Sequence, residues 1–124
     1  MDIFKISKDE RRAKALIELA KNRYNNLKSL KEYYRVLEEY YEIIKELLTA
    51  FMYKSGYKTL SHKVLVEFAR KNISVLTSAE ISLIDELRVK RNNIVYYGEK
   101  VTKEFLKKRE PSINLVITKL LNYI

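Results

Sequence analysis

The stretch SLKEYYRVLEEYYEIIKELLTAFMY, residues 29–53, decides the fold of this chain. Leu30, Tyr33, Leu37, Tyr40, Ile44, Leu47 and Phe51 alternate steps of three and four, the spacing of one face of an α-helix. Tyr34, Tyr41 and Leu48 make a second, parallel stripe one residue on. With Ser29 as N-cap and Glu32 completing a capping box, the segment reads as a helix about 36 Å long. Two apolar stripes require more than one neighbour. The helix is therefore expected at the centre of a bundle, or between a bundle and a partner chain. Tyrosines at this spacing are more often core or dimer seam than a platform for stacked bases.

Upstream, Ala13, Leu16, Ile17, Ala20, Tyr24 and Leu27 predict a first helix from about Lys8 to Tyr24, ended by Asn25-Asn26. Downstream, Lys54 to Leu60 read as a connector turning at Ser55-Gly56. A short third helix follows over Ser61–Lys71, capped by Thr59 or Ser61. His62, the one histidine, lies in its first turn on a face with Leu65, Val66 and Ala69. A lone His there is more often a hydrogen-bonded structural residue than a catalytic one. The capping box Thr77-Ser78-Ala79-Glu80 starts a fourth helix that runs through Asn93, or to Tyr97 with Gly98 at C′. Its buried stripe is expected at Ile81, Ile84, Leu87, Ile94 and Val95. A last helical region begins near Thr102 and is expected to break at Glu110-Pro111, with Leu115, Val116, Leu120, Leu121 and Ile124 on its apolar face. Two glycines and one proline leave few turns for a many-stranded sheet. The expected fold is all-α, an up-and-down bundle of four to five helices forming one domain over residues 1–124.

Composition excludes several chemistries. Without cysteine there is no disulfide scaffold, thiolate nucleophile or cysteine-bound metal. One histidine and scattered acids give no metal-ligand pattern, and two isolated glycines cannot form a phosphate loop. No metal and no cofactor are expected. No apolar run approaches the roughly 18 residues of a membrane span. The charged segment Met1–Arg12 holds no signal-peptide core, so the cytoplasm is the expected location. The net charge of +9 is uneven: residues 88–109 carry eight bases against Glu99 and Glu104, a local +6. Such a patch suits a polyanion such as RNA or a nucleotide. Taken alone, such charge is more often a lysine-rich solubilising surface or a heat-adapted one, since charge by itself identifies no ligand.

The least ordinary segment is Arg91-Asn92-Asn93-Ile94-Val95-Tyr96-Tyr97-Gly98. At about 100° per residue, Arg91 falls within about 20° of Ile84, inside the apolar stripe of the fourth helix. A guanidinium there must snorkel, pair with a carboxylate, cap a helix end or line a cleft. One reading pairs it with Asp85, Glu86 or an acid of another helix to hold the bundle together. The other gives it a ligand, because Arg beside an amide is a common phosphate-binding arrangement.

Arg91-Asn92 with the downstream Tyr96-Tyr97-Gly98 resembles the signature of HEPN domains (higher eukaryotes and prokaryotes nucleotide-binding). In that family an Arg, often followed by Asn, precedes a His by a short spacer. The long second helix, the Gly56-Tyr57-Lys58-Thr59 connector and the short third helix are similar to small prokaryotic members, over roughly residues 8–120. The resemblance implies a small four- or five-helix bundle acting as a homodimer. For many members it implies a metal-independent ribonuclease, with the Arg on the scissile phosphate and the His in acid–base chemistry at the ribose 2′-hydroxyl. Many small members are toxins encoded beside a minimal nucleotidyltransferase that neutralises them, in some cases by adding AMP to a tyrosine near the motif. Others are non-catalytic scaffolds or RNA-binding modules.

Carried onto this chain, the resemblance makes Arg91 the phosphate ligand, with Arg88, Asn92, Tyr97 and Lys100 as binding residues around it. Tyr96 stands where the family has its His. A phenol, with a reference pKa of about 10, is a poor base at neutral pH. Catalysis would fall to Tyr96 or to His62, if the third helix brings that imidazole to the same phosphate. The tyrosine modified in some members would fall at Gly98, which leaves Tyr96 and Tyr97 as substitutes. Three readings follow: a dimeric HEPN-like module that binds RNA or nucleotide with weak or lost nuclease activity; a ribonuclease using Arg91 with Tyr96 or His62; or an interaction scaffold with a structural Arg91.

Overall fold

The computed structural model describes residues 2–124. Among them the chain forms five α-helices and one two-stranded ribbon, an all-α helical bundle. In chain order the elements are β1 (Ile3–Lys5), α1 (Glu10–Asn25), a 3-10 turn (Leu27–Ser29), α2 (Tyr33–Ser55), β2 (Tyr57–Thr59), α3 (His62–Asn72), α4 (Ser78–Tyr97) and α5 (Lys103–Tyr123). Helix starts follow the local chemistry. Asp9, Ser61 and Thr102 accept backbone N–H groups at the starts of α1, α3 and α5, and Thr77 with Glu80 forms the expected capping box of α4.

The second helix is central. α2 packs against α1, α3, α4 and α5, and Leu37, Ile43, Ile44 and Leu47 are wholly buried along it. Both expected stripes are covered from Leu37 onward, whereas Tyr33 and Tyr34 at its start stay exposed. Polar residues on α2 are tied to its neighbours. Arg23 of α1 donates to Glu46 (2.9 and 3.1 Å) and Glu39 (2.8 Å). The Tyr40 hydroxyl donates to Glu110 of α5 at 2.8 Å. Burial pushes the Glu46 carboxyl above the ordinary carboxylate range, opposed by Arg23.

Four expectations need correction. Ser29 does not cap α2: it ends the 3-10 turn, its hydroxyl donates to the Asn26 carbonyl at 2.8 Å, and α2 starts at Tyr33 after the extended Glu32. The break at Glu110-Pro111 is absent, and α5 runs through Pro111. The bond that Pro111 cannot make would go to the Lys107 carbonyl. Both residues are exposed, so water can serve there while Leu106, Ile113, Val116 and Ile117 hold the helix in the core. Leu115 and Val95 are exposed and not part of the buried stripes. For Val95 the cause is length: α3 has 11 residues against 20 in α4, so the last turns of α4 outrun it. The connector is also more ordered than read, because β2 pairs antiparallel with β1 in the register Ile3 to Thr59.

Gly56 and Gly98 both have positive φ, +85° and +66°, at the ends of α2 and α4. A Cβ on Gly56 would come within 3.1 Å of the Ile6 carbonyl, whereas one on Gly98 would meet open space. Gly98→Ala is expected to cost about 1 kcal/mol, the left-handed penalty alone, and Gly56→Ala measurably more. Urea unfolding of the two variants checks this; equal losses would contradict the packing role of Gly56.

Candidate anion-binding site

Where α2, α3 and α4 meet, charged groups of α2 and α4 converge on the first turn of α3. The Tyr41 and His62 rings pack at 5.9 Å between centroids, tilted by 47°. Lys45 and Glu42 form a 2.7 Å pair on α2. On α4, the Arg88 guanidinium donates to Asp85 at 2.8 Å. Arg91 lies one turn further along, half-buried beside them.

Arg91 lacks a closed partner. Its Nη1 donates to Asn92 Oδ1 at 3.2 Å, and its Nη2 lies 3.9 Å from Glu42 Oε1, beyond hydrogen-bond length. Glu42 already serves Lys45. The two acids proposed for Arg91 from sequence have other partners: Asp85 holds Arg88, and Glu86 holds Arg109 through bonds of 2.8 and 2.9 Å. Lys45, Arg88 and Arg91 thus face two carboxylates, an excess of one positive charge.

The same field acts on His62. Burial lowers its pKa first, followed by the charges of Lys45, Arg91 and Arg88, with Glu42 opposing. The imidazole is therefore neutral at physiological pH, with a ring nitrogen able to accept a proton or a hydrogen bond. Tyr41 behaves differently: burial pushes its phenol up to about 12, so it stays protonated.

The sequence-selected residues divide into two groups. His62, Arg88, Arg91 and Asn92 come together here. Tyr96 and Tyr97 do not, being 69% and 83% exposed on the last turn of α4. Tyr96 is about 140° around the helix from Arg91. Lys100 lies in the α4–α5 loop, lining a groove of about 380 Å³ with Tyr33, Tyr34 and Gly98. Tyr41, Glu42 and Lys45 were not selected from sequence. Their one signal was a Glu and a Lys three residues apart in the most apolar part of α2, a spacing at which the two can pair with each other.

Among the described residues no group of three or more His, Cys, Asp or Glu is arranged to hold a metal, and no helix is long and apolar enough to cross a membrane. No protein-family model matches the chain, and a search of curated proteins finds no match.

With one histidine in the chain, a proton NMR titration of its ring is unambiguous. The midpoint is expected below the ordinary 6.5. Arg91→Ala should move it upward by removing a repelling cation; an unchanged midpoint would contradict the shared field. Because the folded-state pKa is depressed, His62 contributes stability that is complete above about pH 6.5 and is lost as pH falls through the folded value.

Proposed function

We propose that this chain is a HEPN-like helical module, acting as a homodimer in the cytoplasm, that binds RNA or a nucleotide through the Arg91-Asn92 motif. The observation that carries the reading is the open guanidinium of Arg91, 3.9 Å from a carboxylate already held by Lys45. A buried or half-buried cation without a closed carboxylate is favourable when an anion completes it. A phosphate oxygen at Arg91 would also receive the charges of Arg88 and Lys45. The nucleotide-binding family resemblance, the local +6 and the neutral His62 agree with this reading. A minimal nucleotidyltransferase is the partner protein it implies, with Tyr96 and Tyr97 as exposed hydroxyls for modification.

A second reading keeps the ribonuclease, and the neutral imidazole beside Arg91 favours His62 over Tyr96 in it. His62 would take the proton of a ribose 2′-hydroxyl, whose oxygen attacks the adjacent phosphorus held by Arg91 while the P–O5′ bond breaks and the leaving 5′-oxygen takes a proton from water.

Both readings are tested with labelled RNA in EDTA. Affinity should fall with salt, with a log–log slope of about −2 for three phosphate contacts to a single strand, and Arg91→Ala should reduce the slope by about 0.7. The absence of binding at low salt would end the RNA reading. RNA cleavage lost in both His62→Ala and Arg91→Ala would establish the enzyme, and cleavage surviving Arg91→Ala would place the activity elsewhere.

A further inference from the structure

The groove at the start of α2 is separate from the charged cluster but lies along the same α2–α4 seam. Tyr33 and Tyr34 form one wall, 38% and 44% exposed, and Ile94, Gly98 and Lys100 the other. Tyr33 also lines a second depression, of about 290 Å³, beside Lys28 and Lys31, so that its ring borders both. Its acids are largely neutralised. Lys107 pairs with Glu110 at 3.2 Å, and Lys90 pairs with Glu99. The surface is aromatic in its wall and cationic at its rim.

We propose that this groove is a nucleobase subsite, in which Tyr34 and Tyr33 stack on a base of a single-stranded RNA whose phosphate is held at Arg91. The inference rests on the RNA reading given above and extends it from phosphate to base. Two observations select this occupant. The first is continuity: Tyr34 and Tyr41 are seven residues apart on one face of α2, about 10 Å along the axis, and Tyr41 lies within the field of Arg88 and Arg91. A strand anchored at Arg91 thus reaches Tyr34 along the seam. The second is charge: Lys28, Lys31 and Lys100 suit the backbone of a polyanion, and an exposed phenol face suits the π-face of any base. Gly98 presents no side chain at the mouth, so the base can approach the backbone there. A duplex keeps its bases stacked inside and gains nothing from Tyr34.

The test measures affinity for a short labelled oligouridylate and for the same strand annealed to its complement. Tyr34→Leu and Tyr33→Leu are expected to weaken single-strand binding roughly fivefold or more, the lower end of one stacked base. Tyr34→Phe should keep wild-type affinity, and duplex affinity should not change. The chain has no Trp, so Tyr34→Trp supplies a single reporter whose fluorescence the bound strand should quench. Leu variants with wild-type single-strand affinity, while Arg91→Ala fails to bind, would overturn the subsite and leave the RNA reading standing. A wild-type protein that binds no RNA would overturn both. A dimer that dissociates in Tyr34→Leu with RNA affinity unchanged would reassign the groove to a second copy of the chain, and also overturn the proposal.

Discussion

From Leu37 onward α2 is enclosed by four other helices, and this constraint organises the molecule. Several of its polar side chains therefore meet partners on neighbouring helices. Toward α1 the partner is Arg23, shared by Glu39 and Glu46 through bonds of 2.8–3.1 Å. Toward α5 it is Glu110, accepting from Tyr40. Toward α4 it is Arg91, and there the seam stays open at 3.9 Å. Partial burial of charge is tolerated when hydrogen bonds offset lost hydration. The first two seams meet that condition within the chain. The third meets it only in part.

The open seam has an electrostatic character set by neighbours on three helices. Lys45 pairs with Glu42, Asp85 is taken up by Arg88, and His62 stays uncharged first because it is buried and then because Lys45, Arg91 and Arg88 lie near it. The histidine and the arginines therefore influence one another without touching.

Most of the architecture was legible because it rests on periodicity. The three- and four-residue spacing in α2, the capping box at Thr77 and the glycine after Tyr97 depend on residues close together in sequence. The features without a local signal depend on distant neighbours. Ser29 has the side chain of a cap, yet the preceding turn uses it. Pro111 carries the signal of a break, yet packing on α2 carries the helix through. The ribbon of β1 and β2 consists of three-residue strands, too short for an alternating pattern to stand out. Within the site, the anomaly of Arg91 was legible because a guanidinium among Ile and Leu side chains is locally conspicuous. Its surroundings were not: nothing in the order of residues says that Glu42 and Lys45 face Arg91, or that Tyr96, next in the motif, turns away from it.

The short ribbon has a bearing beyond its size. Ile6 donates to the Gly56 carbonyl at 2.9 Å and Asp9 to that of Tyr53 at 3.0 Å, so the leading segment is stitched across the end of α2. Thr59 closes the ribbon, its hydroxyl accepts from the Ser61 amide at 3.1 Å, and Ser61 caps the helix that opens with His62. The start of the helix that carries the imidazole is thus tied, through β2, to residues more than fifty positions earlier in the chain. Alterations to that leading segment would reach the histidine through backbone geometry alone, without any change of charge.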